Sequence, residues 1–194
     1  MKKEVEKRVF LTDEQYKSLL IKFNMKSKQP ERQITSYYSA KDKYSKDIDL
    51  RLMQTVDYTK VWMKRGKMHD YHRDEFDEFK IVPEYTLKAI EIFDCLYDFK
   101  TKWFRERIEI KKQPYIICID RSINYNAIFE VEISDEKIEK EEGEKLLNIY
   151  LQELGLEETP QEIQNKIYNN YVSNWSRLDF PKNEIQWLHN KGEY

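Results

Sequence analysis

Several features are scarce in this chain of 194 residues, and each scarcity excludes something. Only two cysteines are present, Cys95 and Cys118, too few for a disulfide framework and wrongly spaced for a zinc site. Each falls on an apolar stretch, so both are expected to be buried, reduced thiols. No apolar run approaches the ~18 residues of a membrane helix. The opening MKKEVEKRVF has no apolar signal-peptide core. A soluble, cytoplasmic protein without membrane contact is expected. A surplus of one charge is missing too. Thirty-six acids face 34 bases, a net charge of −2, so there is no basic footprint for duplex nucleic acid. Internal repeats and low-complexity linkers are also missing.

What is present is charge of both signs, 36% of residues, and aromatic side chains, 14%, with 14 tyrosines among them. The aromatic content argues against global disorder. Balanced charge at this density fits groups that oppose one another across a surface or inside a cavity. The length allows one domain with a proper core and a C-terminal extension.

Periodicity places the elements. Residues 3–10 read as a strand, and Thr12-Asp13-Glu14-Gln15 as a capping box opening a helix whose apolar face is Tyr16, Leu19, Leu20 and Phe23. Strand-like segments follow at Gln33–Ser39, Ile48–Gln54, Lys60–Lys64 and Arg73–Ile81. Pro83 opens a second helix, with Leu87, Ile90, Phe93 and Tyr97 on one side. Lys102–Lys111, Tyr115–Asp120 and Ala127–Ile133 are further strands. Asp135 is placed to cap a long helix that runs to Leu154 and ends at Gly155. Thr159-Pro160-Gln161-Glu162 combines a capping box with proline at the first helical position. Many short strands with few helices predict a mostly antiparallel sheet, closed or strongly curved.

Reading each strand at period 2 separates two faces. One carries Glu4, Glu6 and Arg8; Asp49, Arg51 and Met53; Lys60, Trp62 and Lys64; Arg73, Glu75 and Asp77; Arg105, Arg107 and Glu109; Glu130 and Glu132. The other carries Val5, Val9, Leu50, Leu52, Val61, Met63, Phe76, Phe104, Val131 and Ile133. Carboxylates aligned on one strand face repel one another unless a cation sits among them. Divalent metal suits them, because hard cations take carboxylate oxygens. Arginine forks and lysine point charges suit the non-bridging oxygens of a polyphosphate.

These pieces, in this order, resemble the CYTH domain, or triphosphate tunnel metalloenzymes. The family's ExExK signature is matched by Glu4, Glu6 and Arg8. Its tyrosine-containing strand resembles Gln33 to Tyr38. Its LRxR piece resembles Leu50-Arg51-Leu52-Met53, and its TxK piece Trp62-Met63-Lys64. Its RxExE piece resembles Arg73-Asp74-Glu75-Phe76-Asp77, and its RxR piece Arg105-Glu106-Arg107. The closing strands resemble Ile119-Asp120 and Glu130-Val131-Glu132. The resemblance spans residues 3–133.

It implies a mostly β (α+β) fold, a closed antiparallel barrel tunnel of about eight strands. Helices pack outside, residues 1–155 form the tunnel domain, and residues 156–194 form a helical extension on it. It implies hydrolysis of a triphosphate, inorganic, nucleoside or other organic, with Mg²⁺ or Mn²⁺. The alternatives are a class IV-type adenylyl cyclase and a non-catalytic polyphosphate- or nucleotide-binding module. By the same resemblance, Glu4, Glu6, Glu75 and Glu132 are catalytic, and Glu4, Glu6, Asp77, Glu130 and Glu132 hold metal. Arg8, Arg51, Lys64, Arg73, Arg105 and Arg107 bind phosphate. The partner is a small triphosphate, and the protein a monomer or homodimer.

Three residues depart from the family pattern: Arg8 stands for lysine, Met53 for arginine and Asp77 for glutamate. The first keeps its charge but cannot act as a proton donor of tuned pKa. His69-Asp70-Tyr71-His72 is read as an exposed turn, since imidazole suits zinc better than magnesium. Trp175 and Trp187 are read as packing residues that dock the tail against the barrel or line a dimer contact.

Overall fold

The computed structural model describes residues 5–40, 48–65, 74–75, 79–133 and 138–190. Glu4, Arg73, Asp77, Phe76, Asp135 and the 69–72 turn lie outside the described residues, as does the side chain of Glu75. Among the described residues, nine strands form one antiparallel sheet: β1 (Val5–Leu11), β2 (Glu31–Ala40), β3 (Ile48–Gln54), β4 (Thr59–Arg65), β5 (Asp74–Glu75), β6 (Phe79–Ile81), β7 (Tyr97–Lys112), β8 (Tyr115–Ser122) and β9 (Ala127–Ile133). Five α-helices accompany them among the same residues: α1 (Asp13–Lys22), α2 (Thr86–Leu96), α3 (Lys140–Leu154), α4 (Gln161–Asn174) and α5 (Glu184–His189). The class is thus α+β. No described helix is long and apolar enough to cross a membrane.

The strand order is β1-β9-β8-β7-β2-β3-β4-β5, with β6 also paired to β4. Among the described residues β1 pairs with no strand except β9, so their pairing leaves the path open where a closed barrel was expected. The outer edge of β1 is occupied by the chain after α3. Thr159 donates its N–H to the Arg8 carbonyl at 3.0 Å and accepts the Phe10 N–H on Oγ1 at 2.8 Å. Thr159 is therefore not the helix cap that its sequence context predicts. α4 starts at Gln161 with Pro160 as an N-cap that offers no side-chain bond. An unpaired strand edge is the stronger claim on the hydroxyl, because backbone N–H groups away from water need acceptors.

The apolar face of the sheet carries the core. Val5, Val9, Ile117, Ile119, Phe129, Val131 and Ile133 pack with Tyr16, Leu19 and Leu20 of α1 and Leu147, Tyr150 and Leu151 of α3. The α1 capping box forms as read, with Gln15 N–H donating to Thr12 Oγ1 and the Gln15 side chain accepting the Thr12 N–H. Gly143 lets α3 approach β1, since a Cβ there would stand 3.1 Å from Val5 Cγ2. Gly155 ends α3 with φ +70°, a left-handed cap open to glycine at no steric cost.

A second cluster joins Tyr38, Leu52 and Val61 to Ala89, Ile90 and Phe93 of α2. Leu87, read as part of that face, is 64% exposed. The buried stripe of α2 is Thr86, Ala89, Ile90 and Phe93, at i, i+3, i+4 and i+7, one position away from Leu87. Cys95 lies off this stripe and is exposed, whereas Cys118 is buried as expected.

The tail docks through aromatics. Phe180 stacks on Phe104 at 5.1 Å, and Trp187 meets the same ring edge-on at 5.4 Å. β8 ends opposite Arg105, so the earlier part of β7 has no strand on that side. There Tyr171 Oη and Trp175 Nε1 of the α4 region both donate to the Lys102 carbonyl, at 2.7 and 3.0 Å.

Candidate active site

The pairing registers put the charged residues on the face opposite the core. Arg8 lies opposite Glu130 and Glu6 opposite Glu132 across β1–β9. Cys118 lies opposite Glu130 across β8–β9, and Arg107 opposite Asp120 across β7–β8. Gln33 pairs with Arg105 and Thr35 with Trp103 across β2–β7. Tyr37 pairs with Arg51 across β2–β3, which in turn lies opposite Trp62 of β4; Asp49 lies opposite Lys64. Lys64 is the register partner of Glu75.

Three arginines converge on two carboxylates, buried Asp120 and half-buried Glu130. Arg8 donates from Nε and Nη2 to Glu130 Oε2, at 3.1 and 2.6 Å, and from Nη2 to Glu6 Oε1 at 3.3 Å. Arg107 reaches Glu130 Oε1 at 3.4 Å and grips Asp120 with a two-pronged bond, Nε to Oδ1 at 2.8 Å and Nη2 to Oδ2 at 2.7 Å. Arg105 adds a contact to Asp120 Oδ2 at 3.2 Å and donates twice to Gln33 Oε1, at 3.1 and 2.7 Å. Burial alone would push the Glu130 carboxyl up, but the charges of Arg8, Arg107 and Arg105 outweigh it and hold the group well below the usual carboxylate range. Beside them, burial pushes the Cys118 thiol up to about 12, against the pull of Arg107.

A second basic group stands on β3 and β4. Arg51 donates from Nε and Nη2 to Asp49 Oδ2, at 3.0 and 2.7 Å. Its guanidinium lies 4.8 Å from the Tyr37 ring and 5.7 Å from the Trp62 ring, with Lys60 Nζ 4.9 Å from Trp62 on the same face. Of the expected residues, the structure brings Glu6, Arg8, Arg105, Arg107 and Glu130 into one bonded cluster. Glu132 stands beside it in register, and Arg51 and Lys64 lie on the neighbouring strands of the same face.

The cluster also contains two residues to which sequence reading gave no role: Asp120, which holds two arginines, and Gln33, which holds one; in the second group Asp49, read on the charged face, holds Arg51. The signal for Asp120 was an acid inside an apolar strand, only 2% exposed in the fold. A buried carboxylate of that kind requires a cation. A separate pocket of about 390 Å³, lined by Tyr38, Asp94, Phe99 and Lys102 among others, is distinct from this cluster.

The resemblance implies a divalent cation, and the donor chemistry can be compared with that need. Among the described residues no three Asp, Glu, His or Cys side chains gather as a metal cage. Mg²⁺ does not need one, because it binds through one or two carboxylates plus substrate phosphate oxygens and water. Glu6 and Glu132, opposite each other at one end of the arginine cluster, meet that requirement. Glu130 fits it less well, since both its oxygens already accept from arginines.

No family model matches the sequence, and no curated protein matches it. Solved structures do match. A candidate adenylate cyclase from Bacillus halodurans aligns with a TM-score of 0.63 at 15% identity, over 96% of this chain and 97% of that one. A candidate adenylyl cyclase from Hippeastrum, described as having a dominant triphosphatase activity, gives 0.59 at 13% identity, over 93% and 98%. A chain of the Schizosaccharomyces pombe Mediator head module gives 0.52 at 9% identity, over 78% and 95%. At such identities the likeness is one of fold, and a fold can host unrelated functions. These likenesses show that the chain shares the fold of these structures, which is the CYTH-type fold that the ordered motifs from Glu6 to Glu132 led us to expect.

Proposed function

We propose that the charged face binds a triphosphate and, with Mg²⁺ or Mn²⁺, hydrolyses it inside a barrel closed in solution. The observation that carries this reading is the set of three arginines from two strands, Arg8, Arg105 and Arg107, fixed by Glu130 and Asp120 on a single sheet face. Guanidinium groups held in place before the substrate arrives spend no reorganisation energy when charge develops on phosphate oxygens. Phosphoryl transfer asks mainly for such positioning and charge stabilisation.

The roles divide accordingly. Arg8, Arg105 and Arg107 grip non-bridging oxygens from one side. Arg51 and Lys64, with Arg73, supply cations from the other. Asp120 and Glu130 position the arginines, a part for Glu130 different from the metal ligation implied by resemblance. Glu6 and Glu132, with Glu4, would hold the cation, and Glu75 and Asp77 would support it. The bound cation supplies charge neutralisation on the phosphate oxygens. Arg8 in place of the family's lysine grips without offering a proton, which leaves binding intact and makes acid catalysis from that position unavailable.

The Hippeastrum neighbour's described triphosphatase activity favours hydrolysis over cyclisation. A non-catalytic polyphosphate- or nucleotide-binding module is the second reading, consistent with Arg8 and Met53 at positions where the family pattern has lysine and arginine. One assay separates the three. Purified protein with Mg²⁺ or Mn²⁺ is given tripolyphosphate and nucleoside triphosphates, and phosphate, pyrophosphate and cyclic AMP are measured. Phosphate release abolished by EDTA is the expected result. Pyrophosphate with cyclic AMP identifies a cyclase, and binding without product a non-catalytic module.

A further inference from the structure

The other face of β2 holds a cavity that the charged face does not use. Tyr37 carries the Arg51 guanidinium on the charged face. The next residue, Tyr38, projects to the opposite face and packs with Leu52, Val61 and Phe93. Between that face and α2 lies the cavity of about 390 Å³, the size of a site for a compact small molecule. α2 lends it Ile90 and Asp94, and the start of β7 lends Tyr97 and Phe99. The Tyr38 and Phe99 rings meet edge-on at 5.8 Å, and Phe99 is still 40% exposed. An apolar wall therefore stands open beside a set of polar groups.

Those polar groups are unequally matched. Lys102 Nζ donates to Glu184 Oε1 of α5 at 2.6 Å, so its charge has an opposite partner. Asp94 is bonded differently. Among the described residues its partner is neutral, the Tyr38 hydroxyl, which donates to Oδ1 at 3.0 Å. Burial, and after it the bond to Asp94, push the Tyr38 phenol up, so it stays a hydroxyl donor. Ser36 bonds to the same hydroxyl, which fixes it further. A carboxylate has about four acceptor sites, so one hydroxyl leaves Asp94 with capacity to spare. Asp94 is exposed and open to a ligand from solvent. Of the charged groups at this cavity, Asp94 and Glu184 are negative and Lys102 is positive. That balance disfavours an anion. A carboxylate beside aromatic rings suits an ammonium group, which the carboxylate takes by a charge-assisted bond and the ring faces attract.

We propose that this cavity is a binding site for a small organic ammonium: a primary amine on a compact apolar body, its ammonium on Asp94 and its body against Ile90, Tyr97 and Phe99. The site lies across the sheet from the arginines and does not depend on what they bind.

The test is titration of the full, isotopically labelled chain with phenethylamine, followed by backbone amide shifts. Phenylethanol, neutral, and phenylpropionate, anionic, are titrated beside it. The amine is expected to bind with a Kd of about 1 mM, within reach of a ligand this small. Its affinity should exceed that of the alcohol about tenfold, the worth of one charge-assisted bond. The largest shifts are expected around Asp94, Tyr97 and Phe99. Asp94→Asn should bring the amine down to the affinity of the alcohol and leave the alcohol unchanged. The amide still offers Tyr38 an acceptor, and thermal unfolding reports that the variant folds. Asp98→Asn removes a nearby exposed carboxylate that does not line the cavity and should keep the tenfold preference. Equal binding of the three compounds, a preference that survives Asp94→Asn or vanishes with Asp98→Asn, or no saturable shift with any of them overturns the site.

Discussion

Glu130 accepts hydrogen bonds from arginines on two different strands, and its ionisation follows from that. Its carboxyl is held below the usual range in the fold, so it contributes stability that is complete above the unfolded value of about 4.3 and lost as pH falls below it. Glu130→Gln should therefore lower stability near neutral pH by about 3 kcal/mol, because it strands charge beside Arg8 and Arg107. The loss of stability between about pH 4 and lower values should flatten in the variant. Denaturant unfolding of both proteins across that range checks it, and parallel profiles would count against the assignment. Cys118 gives a second reading of the same environment. With its thiol pushed up to about 12 by burial, it should resist alkylation at pH 8 while exposed Cys95 is labelled, both reacting once the chain is unfolded. At this scale the charged residues of the cluster were legible because alternation places them on one strand face. Their partners were not, since Asp120 and Gln33 reach the arginines through cross-strand register, which no local pattern encodes.

Among the elements, most boundaries follow from local chemistry and a few from competition. The Thr12 capping box forms at the exposed start of α1, where the Thr12 hydroxyl accepts the Gln15 N–H. Thr159 has an equally good local context, yet the open edge of β1 takes it. Thr159→Val should cost about 1 kcal/mol, with its effect on β1 rather than α4. Amide exchange at Phe10 should accelerate while the α4 amides keep their protection. Equal acceleration in α4 would restore the capping role. Gly155→Ala should cost about 1 kcal/mol, as an L-residue forced to φ +70°. β7 begins at Tyr97, five residues before its expected start at Lys102, directly after α2, and its first half has no β8 beside it. Tyr171 and Trp175 are donors to that exposed stretch. That pairing of helix with strand edge could not be read from either segment alone.

For the molecule as a whole, separation of an apolar face from a charged face was legible along β1, β3, β4, β7 and β9, because period-2 alternation survives without knowledge of the topology. Closure was not: it depends on how the two ends of the path approach, and the described strands leave β1 paired to β9 on one side and to Thr159 on the other. The docking of the C-terminal extension through Trp175 and Trp187 was legible, but not that it brings Tyr168 and Tyr171 onto the charged face beside Trp103 and Phe180 onto the core face beside Phe104. The central claim is that this charged face grips a triphosphate through preorganised arginines. Arg105→Ala tests it most directly, because Asp120 keeps its two-pronged bond to Arg107 when Arg105 is removed, so the fold is expected to persist. The decisive measurement is the dissociation constant of the non-hydrolysable tripolyphosphate analogue, with Mg²⁺, for the natural chain and this variant. The account predicts binding by the natural chain and a loss of about tenfold, or 1.4 kcal/mol, in the variant. Equal affinity in the two folded proteins, or no binding by the natural chain, would contradict it.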